Sequence, residues 1–158
     1  CMSATADDIR TLYRETVLEH SRNPRHFGRL ADATHTADGI NPLCGDKLKL
    51  YVRVDDAGRI DASYFEGSGC AISMASASLM TDAMTGLPVD LAEACVTEMT
   101  ARLQDGNTER PRTELAELAA LDGVRQYPGR VKCATLAWRA LEAALHRESS
   151  PATTEQDA

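Results

Sequence analysis

Residues 47–54, "KLKLYVRV", set Leu48, Leu50, Val52 and Val54 on one side of an alternating run and place Lys47, Lys49 and Arg53 on the other. A period of two over that length describes a β-strand with one face buried and one face in water. The turn residues "DDAGR" follow, and residues 60–66 return with Ile60, Ala62 and Tyr64 expected on a single face, so the two runs read as a hairpin. An earlier strand is expected at 34–40. A sheet with one wet face needs a cover for its apolar face, which limits what the rest of the chain can be.

That cover is legible as helices. Residues 7–20 repeat Ile9, Leu12, Tyr13, Thr16 and Val17 at helical spacing, and "SRNPRHFGRL" then breaks the helix. "CAISMASASLMTDAMTG" at 70–86 is a small-residue helix stopped by Gly86. Further helices are expected at 90–103, at 112–121 and at 131–147, the last with Leu136, Ala140, Leu141, Ala144 and Leu145 inward. The expected class is α+β: a small antiparallel sheet of about three strands with helices packed on one face. Residues 1–147 are expected to form one domain, with Cys1 an added residue ahead of Met2 and residues 148–158 a disordered polar tail.

Bulk properties remove several function classes. The net charge is −7, with no Lys/Arg run to offset it, which argues against a nucleic-acid partner. No apolar run approaches the roughly 20 residues of a membrane span. With no signal peptide in view the expected compartment is the cytoplasm, where cysteines point to metal or thiol chemistry rather than disulfides.

The cysteines to explain are therefore Cys44, Cys70, Cys95 and Cys133. Cys95 shares a helix face with Leu91, Met99 and Leu103 and reads as core. Cys44 and Asp46 stand two apart around Gly45, so in extended backbone their side chains share a side. Cys70 and Cys133 are expected at helix N-termini, where the positive end of the dipole favours negative charge. Three thiolates and a carboxylate suit tetrahedral Zn²⁺ and would leave the centre with a formal charge of −2. Arg130 and Lys132 are placed to offset part of it. Spacing alone leaves a zinc site and an iron–sulfur site both open. The histidines His20, His26, His35 and His146 read as surface or helix-end residues, His35 being the one to watch near Cys44.

The segments "NPLCGD", "FEGSGCAISMASASLM" and "GRVKCATLAWRAL" resemble the three cysteine motifs of the IscU/NifU-type iron–sulfur scaffold superfamily, over roughly residues 9–145. Within it they are most similar to the SufU branch of zinc-dependent sulfur-transfer proteins. In IscU scaffolds a ligating histidine precedes the third cysteine, whereas Lys132 stands here. The long segment between the second and third cysteines can also contain the insertion of the SufU branch. The resemblance implies zinc on Cys44, Asp46, Cys70 and Cys133, with Arg130 matching an arginine typical of the branch in a supporting role.

It also implies a sulfur relay. A SufS-type, PLP-dependent cysteine desulfurase carries a persulfide, one of its histidines replaces Cys44 on the zinc, and the freed Cys44 thiol accepts the sulfur. Downstream Fe–S assembly proteins then receive it. PLP belongs to the partner. The alternative expectation is a scaffold that assembles a [2Fe–2S] cluster on the same ligands. A zinc hydrolase would need a general base near the ion, and within the motifs only Asp46, itself an expected ligand, is available.

Overall fold

The hairpin anticipated from the alternating run is present, with its second strand at one edge of the sheet. The computed structural model describes residues 6–42, 45–105, 121, 124, 128–146 and 152–153. The order is α1 (Ala6–Arg22), β1 (His35–Asn41), β2 (Asp46–Val54), β3 (Ile60–Ser68), α2 (Ala71–Met84), α3 (Val89–Asp105), α4 (Pro128–Leu145) and β4 (Ala152–Thr153). The sheet runs β3-β2-β1-β4, its first three strands antiparallel. The helix expected at 112–121 lies outside the described residues except for Leu121, which is buried in the core.

Leu48, Leu50 and Val52 face inward as their alternation requires. Helices α2 and α4 cover that face; α1 packs on α2 and α3 on α4. Lys47, Lys49 and Arg53 take the other side, opposite Ser68, Glu66 and Ala62 on β3. Tyr51 lies on that side too and donates its hydroxyl proton to Glu66. That hydrogen bond, and secondarily Arg29, hold the Glu66 carboxyl below the usual carboxylate range despite some desolvation.

The expected face of β3 needs correcting. Val54 pairs with Ile60 but Arg53 pairs with Ala62, so Asp61 is an extra residue on β3. Such a bulge reverses the alternation beyond it. Ile60 keeps its inward place, but Ser63 and Phe65, not Ala62 and Tyr64, face the core.

Both edges of the sheet are partly covered. Residues 26–28 run beside β3, with the Phe65 N–H donating to the His26 carbonyl at 3.0 Å and the Gly28 N–H to the Phe65 carbonyl at 2.8 Å. At the other edge β4 pairs in parallel with Gly39 and Ile40 of β1. Residues 152 and 153 thus add a short strand within the segment expected to be a disordered tail. No helix of the described residues is long and apolar enough to cross a membrane.

Helix α2 is sunk between neighbours, with Ala75, Ser76, Ala77 and Ser78 all buried. Two of its serine hydroxyls bond neighbouring helices. Ser78 Oγ meets His20 Nδ1 of α1 at 2.8 Å, and Ser76 donates to the Ala134 carbonyl of α4 at 2.6 Å. His20 is thus a helix-end residue, as expected, but a buried one.

The bulge gives a direct stability test. Phe65→Ala is expected to cost about 3–5 kcal/mol and Tyr64→Ala about 1 kcal/mol, measured by chemical denaturation. The opposite ranking would contradict the face assignment.

Candidate metal centre

The site is built at the end of the apolar stripe, where β1 hands over to β2. The register places Asn41, last in β1, opposite Asp46, first in β2. Cross-strand partners share a face. Here it is the covered one, and both residues are fully buried.

Cys70 caps α2. Its backbone is extended (φ −71°, ψ 167°) and its sulfur accepts from the Ser73 N–H at 3.4 Å. Its own N–H donates to Asp46 Oδ1 at 2.9 Å. The approach is close enough that a Cβ on Gly69 would lie 2.6 Å from that same oxygen. Cys133 arrives on α4, fully buried. Asn41 Nδ2 donates to Asp46 Oδ2 at 3.0 Å and to Cys133 Sγ at 3.5 Å.

One donor atom from each of Asp46, Cys70 and Cys133 lies within 4.8 Å of the others. In tetrahedral zinc sites with Zn–S of about 2.3 Å, neighbouring donors stand about 3.5–3.8 Å apart, so the trio is within about 1 Å of closing on an ion. Two thiols and a carboxylate are ligands that Zn²⁺ accepts. Anionic donors at such spacing repel by about 1 kcal/mol in water and by several kcal/mol at lower dielectric, which a divalent cation would reverse. The residues present therefore fit a metal.

Three of the four ligands expected from the sequence, Asp46, Cys70 and Cys133, come together; Cys44 lies outside the described residues. Gly45 has φ +72°, so the extended alternation of β2 begins at Asp46. Cys133 was expected at a helix start, but α4 begins at Pro128, which puts Cys133 in its second turn. The dipole acts over the first turn only, so the argument holds for Cys70 and lapses for Cys133. Arg130 is exposed in the first turn of α4, three residues before Cys133 and so on the same helix face. Lys132 is half-buried. His35 begins β1 while the site is at the strand's other end, about 20 Å away along seven residues. Cys95 sits in the hydrophobic core.

Sequence reasoning missed Asn41 and the Ser76–Ala134 bond. A signal for Asn41 existed: a polar residue where β1 turns its side chains to the core, directly before "PLCGD". The Ser76 contact had none, since it joins residues far apart in the chain.

Gly69→Ala tests the close packing around Asp46. Its new methyl group must displace a buried, doubly hydrogen-bonded carboxylate, so zinc affinity is expected to fall about tenfold or more. The rise in melting temperature on adding zinc should shrink accordingly. An undiminished rise would refute the geometry.

Residues 12–134 match the family model of the NifU-like N-terminal domain. The chain is 38% identical over 141 residues to the zinc-dependent sulfurtransferase SufU of Bacillus subtilis, covering 89% of this chain and 94% of that protein. It is 39% identical over 139 residues to the iron–sulfur cluster assembly scaffold protein IscU of Streptococcus pyogenes, covering 88% and 86%. In fold it is similar to the N-terminal part of a NifU-like protein from Brucella abortus, with a TM-score of 0.79 at 24% identity over 92% of this chain and all of that one. With that match over residues 12–134 and relatives of 38–39% identity along most of its length, the chain belongs to the NifU-like N-terminal domain family.

Proposed function

We propose that this protein is a zinc-dependent sulfur carrier for iron–sulfur cluster assembly. In this reading Cys44, Asp46, Cys70 and Cys133 hold Zn²⁺, and Cys44 takes sulfur from the persulfide of a SufS-type cysteine desulfurase. The observation that carries the proposal is the convergence of donor atoms from Asp46, Cys70 and Cys133, three separate elements, within 4.8 Å. The likeness to a relative named a zinc-dependent sulfurtransferase supports the choice of metal and reaction. Lys132, where IscU scaffolds carry a ligating histidine, supports the same branch.

The chain's own groups suit the task. Asp46 is clamped through both carboxylate oxygens, Cys70 is held by the Ser73 N–H, and Cys133 by Asn41. Bound zinc supplies charge neutralisation and a cross-link between the hairpin, α2 and α4. The acceptor position, Cys44, adjoins Gly45, whose left-handed φ suits glycine at the turn into β2. Transfer to a Cys44 thiolate is an exchange at the outer sulfur of the desulfurase persulfide: a new S–S bond forms, the old one breaks, and the desulfurase cysteine leaves as a thiolate. Arg130, in the first turn of α4, contributes positive charge near the anionic set.

A second reading, a scaffold for a [2Fe–2S] cluster, is favoured by the relative named IscU at 39% identity. The two separate on colour and metal. The sulfur carrier is expected to purify colourless with about one zinc per chain, the stoichiometry of one tetrahedral site. A stable brown protein after anaerobic reconstitution would support the scaffold.

The decisive test is labelled-sulfur transfer from a PLP-dependent cysteine desulfurase. Cys44→Ala is expected to reduce transfer to background, while Cys95→Ala retains it. Undiminished acceptance by Cys44→Ala would overturn the assignment.

A further inference from the structure

Asn41 ends a strand face otherwise turned to the apolar core, yet its side chain is fully buried. A carboxamide nitrogen carries two protons. In this structure that nitrogen has two acceptors, Asp46 Oδ2 at 3.0 Å and Cys133 Sγ at 3.5 Å. Its orientation follows from Asp46: turned over, the amide would present its carbonyl oxygen to a carboxylate oxygen, an acceptor facing an acceptor. One residue thus joins a ligand of β2 to a ligand of α4. The remaining oxygen of Asp46 is taken by the Cys70 N–H, so the carboxylate is gripped from both sides.

We propose that Asn41 is a positioning residue of the metal centre, setting how tightly the ion is kept by bridging Asp46 and Cys133. The inference rests on the zinc reading above. Its amide protons hold two anionic donors near the spacing of tetrahedral ligation and offset their mutual repulsion without adding a ligand. A donor in this outer position, serving two ligands at once, acts on affinity and ligand geometry rather than on the bonds to the ion itself.

A merely structural Asn41 would fill space and satisfy Asp46, and its loss would lower the stability of the metal-free fold without a selective effect on metal. The test therefore compares wild type with Asn41→Leu, which removes both donors at similar size. Asn41→Ala serves should leucine fail to fold. Ser63→Ala is the control, since it removes a buried hydrogen bond to the Thr81 carbonyl on the same sheet face outside the ligand set. Zinc affinity by chelator competition, the absorption spectrum of the Co²⁺-substituted protein, and the metal-free melting temperature are measured for each.

Both Asn41 variants are expected to lose about 10- to 100-fold in zinc affinity and to shift the cobalt–thiolate absorption, as removal of an outer hydrogen bond to a ligand does. Ser63→Ala should lower the melting temperature while leaving affinity and spectrum unchanged. Affinity within about threefold of wild type in a folded Asn41 variant, or an equal loss in the control, overturns the proposal, against the 10- to 100-fold usual for outer-shell partners. If wild type itself binds neither zinc nor cobalt, the zinc reading falls as well. Wild type binding tightly beside an equally tight Asn41 variant removes the Asn41 assignment alone.

Discussion

A carboxyl group sealed from water at the start of β2 organises this end of the molecule. Moving a carboxylate into a protein interior is expensive unless its oxygens find donors. Asp46 finds the Asn41 amide and the Cys70 backbone N–H. Each donor comes from a different piece of chain, so satisfying one side group fixes the mouth of the hairpin against the N-terminus of α2. The Asn41 contact to Cys133 carries the same constraint on to α4.

The rest of the architecture keeps those pieces at the right spacing. Serines and alanines of α2 let it lie close to both α1 and α4, and the Ser76 bond to the Ala134 carbonyl joins α2 to α4 one residue from Cys133. A bulkier helix would move Cys70 and Cys133 apart. The sheet contributes register: with β1 and β2 paired in antiparallel register, Asn41 must stand beside Asp46. Candidate ligands drawn from a strand, a helix cap and a second helix turn exist as a set only in the folded chain, so a metal held there would be linked to folding stability.

The hairpin and the covering helices were readable in the linear order, and the grouping of Asp46, Cys70 and Cys133 was anticipated there with the help of the motif resemblance. The strand period, the glycines ahead of Cys70 and the motif order are local signals, and local signals survive without tertiary context. What escaped was of another kind. The bulge at Asp61 turned Phe65 inward and Tyr64 outward, an effect of one unpaired residue that an alternating pattern does not reveal. Helix α4 begins at Pro128, which moved Cys133 out of the first turn. The helix-end place of His20 is legible in the chain, but its burial is not, because its partner Ser78 is 58 residues away.

The amino-acid order by itself determined the kinds of element, the class of fold and the ligand chemistry, because strand period, helix spacing and thiol or carboxylate donors are properties of short stretches. The tertiary structure decided which atoms meet: that Asp46 is gripped by two donors, that Asn41 joins it to Cys133, and that His35 lies at the far end of the strand. Those outcomes depend on register and on helix-to-sheet packing, which are set by contacts between residues distant in the chain.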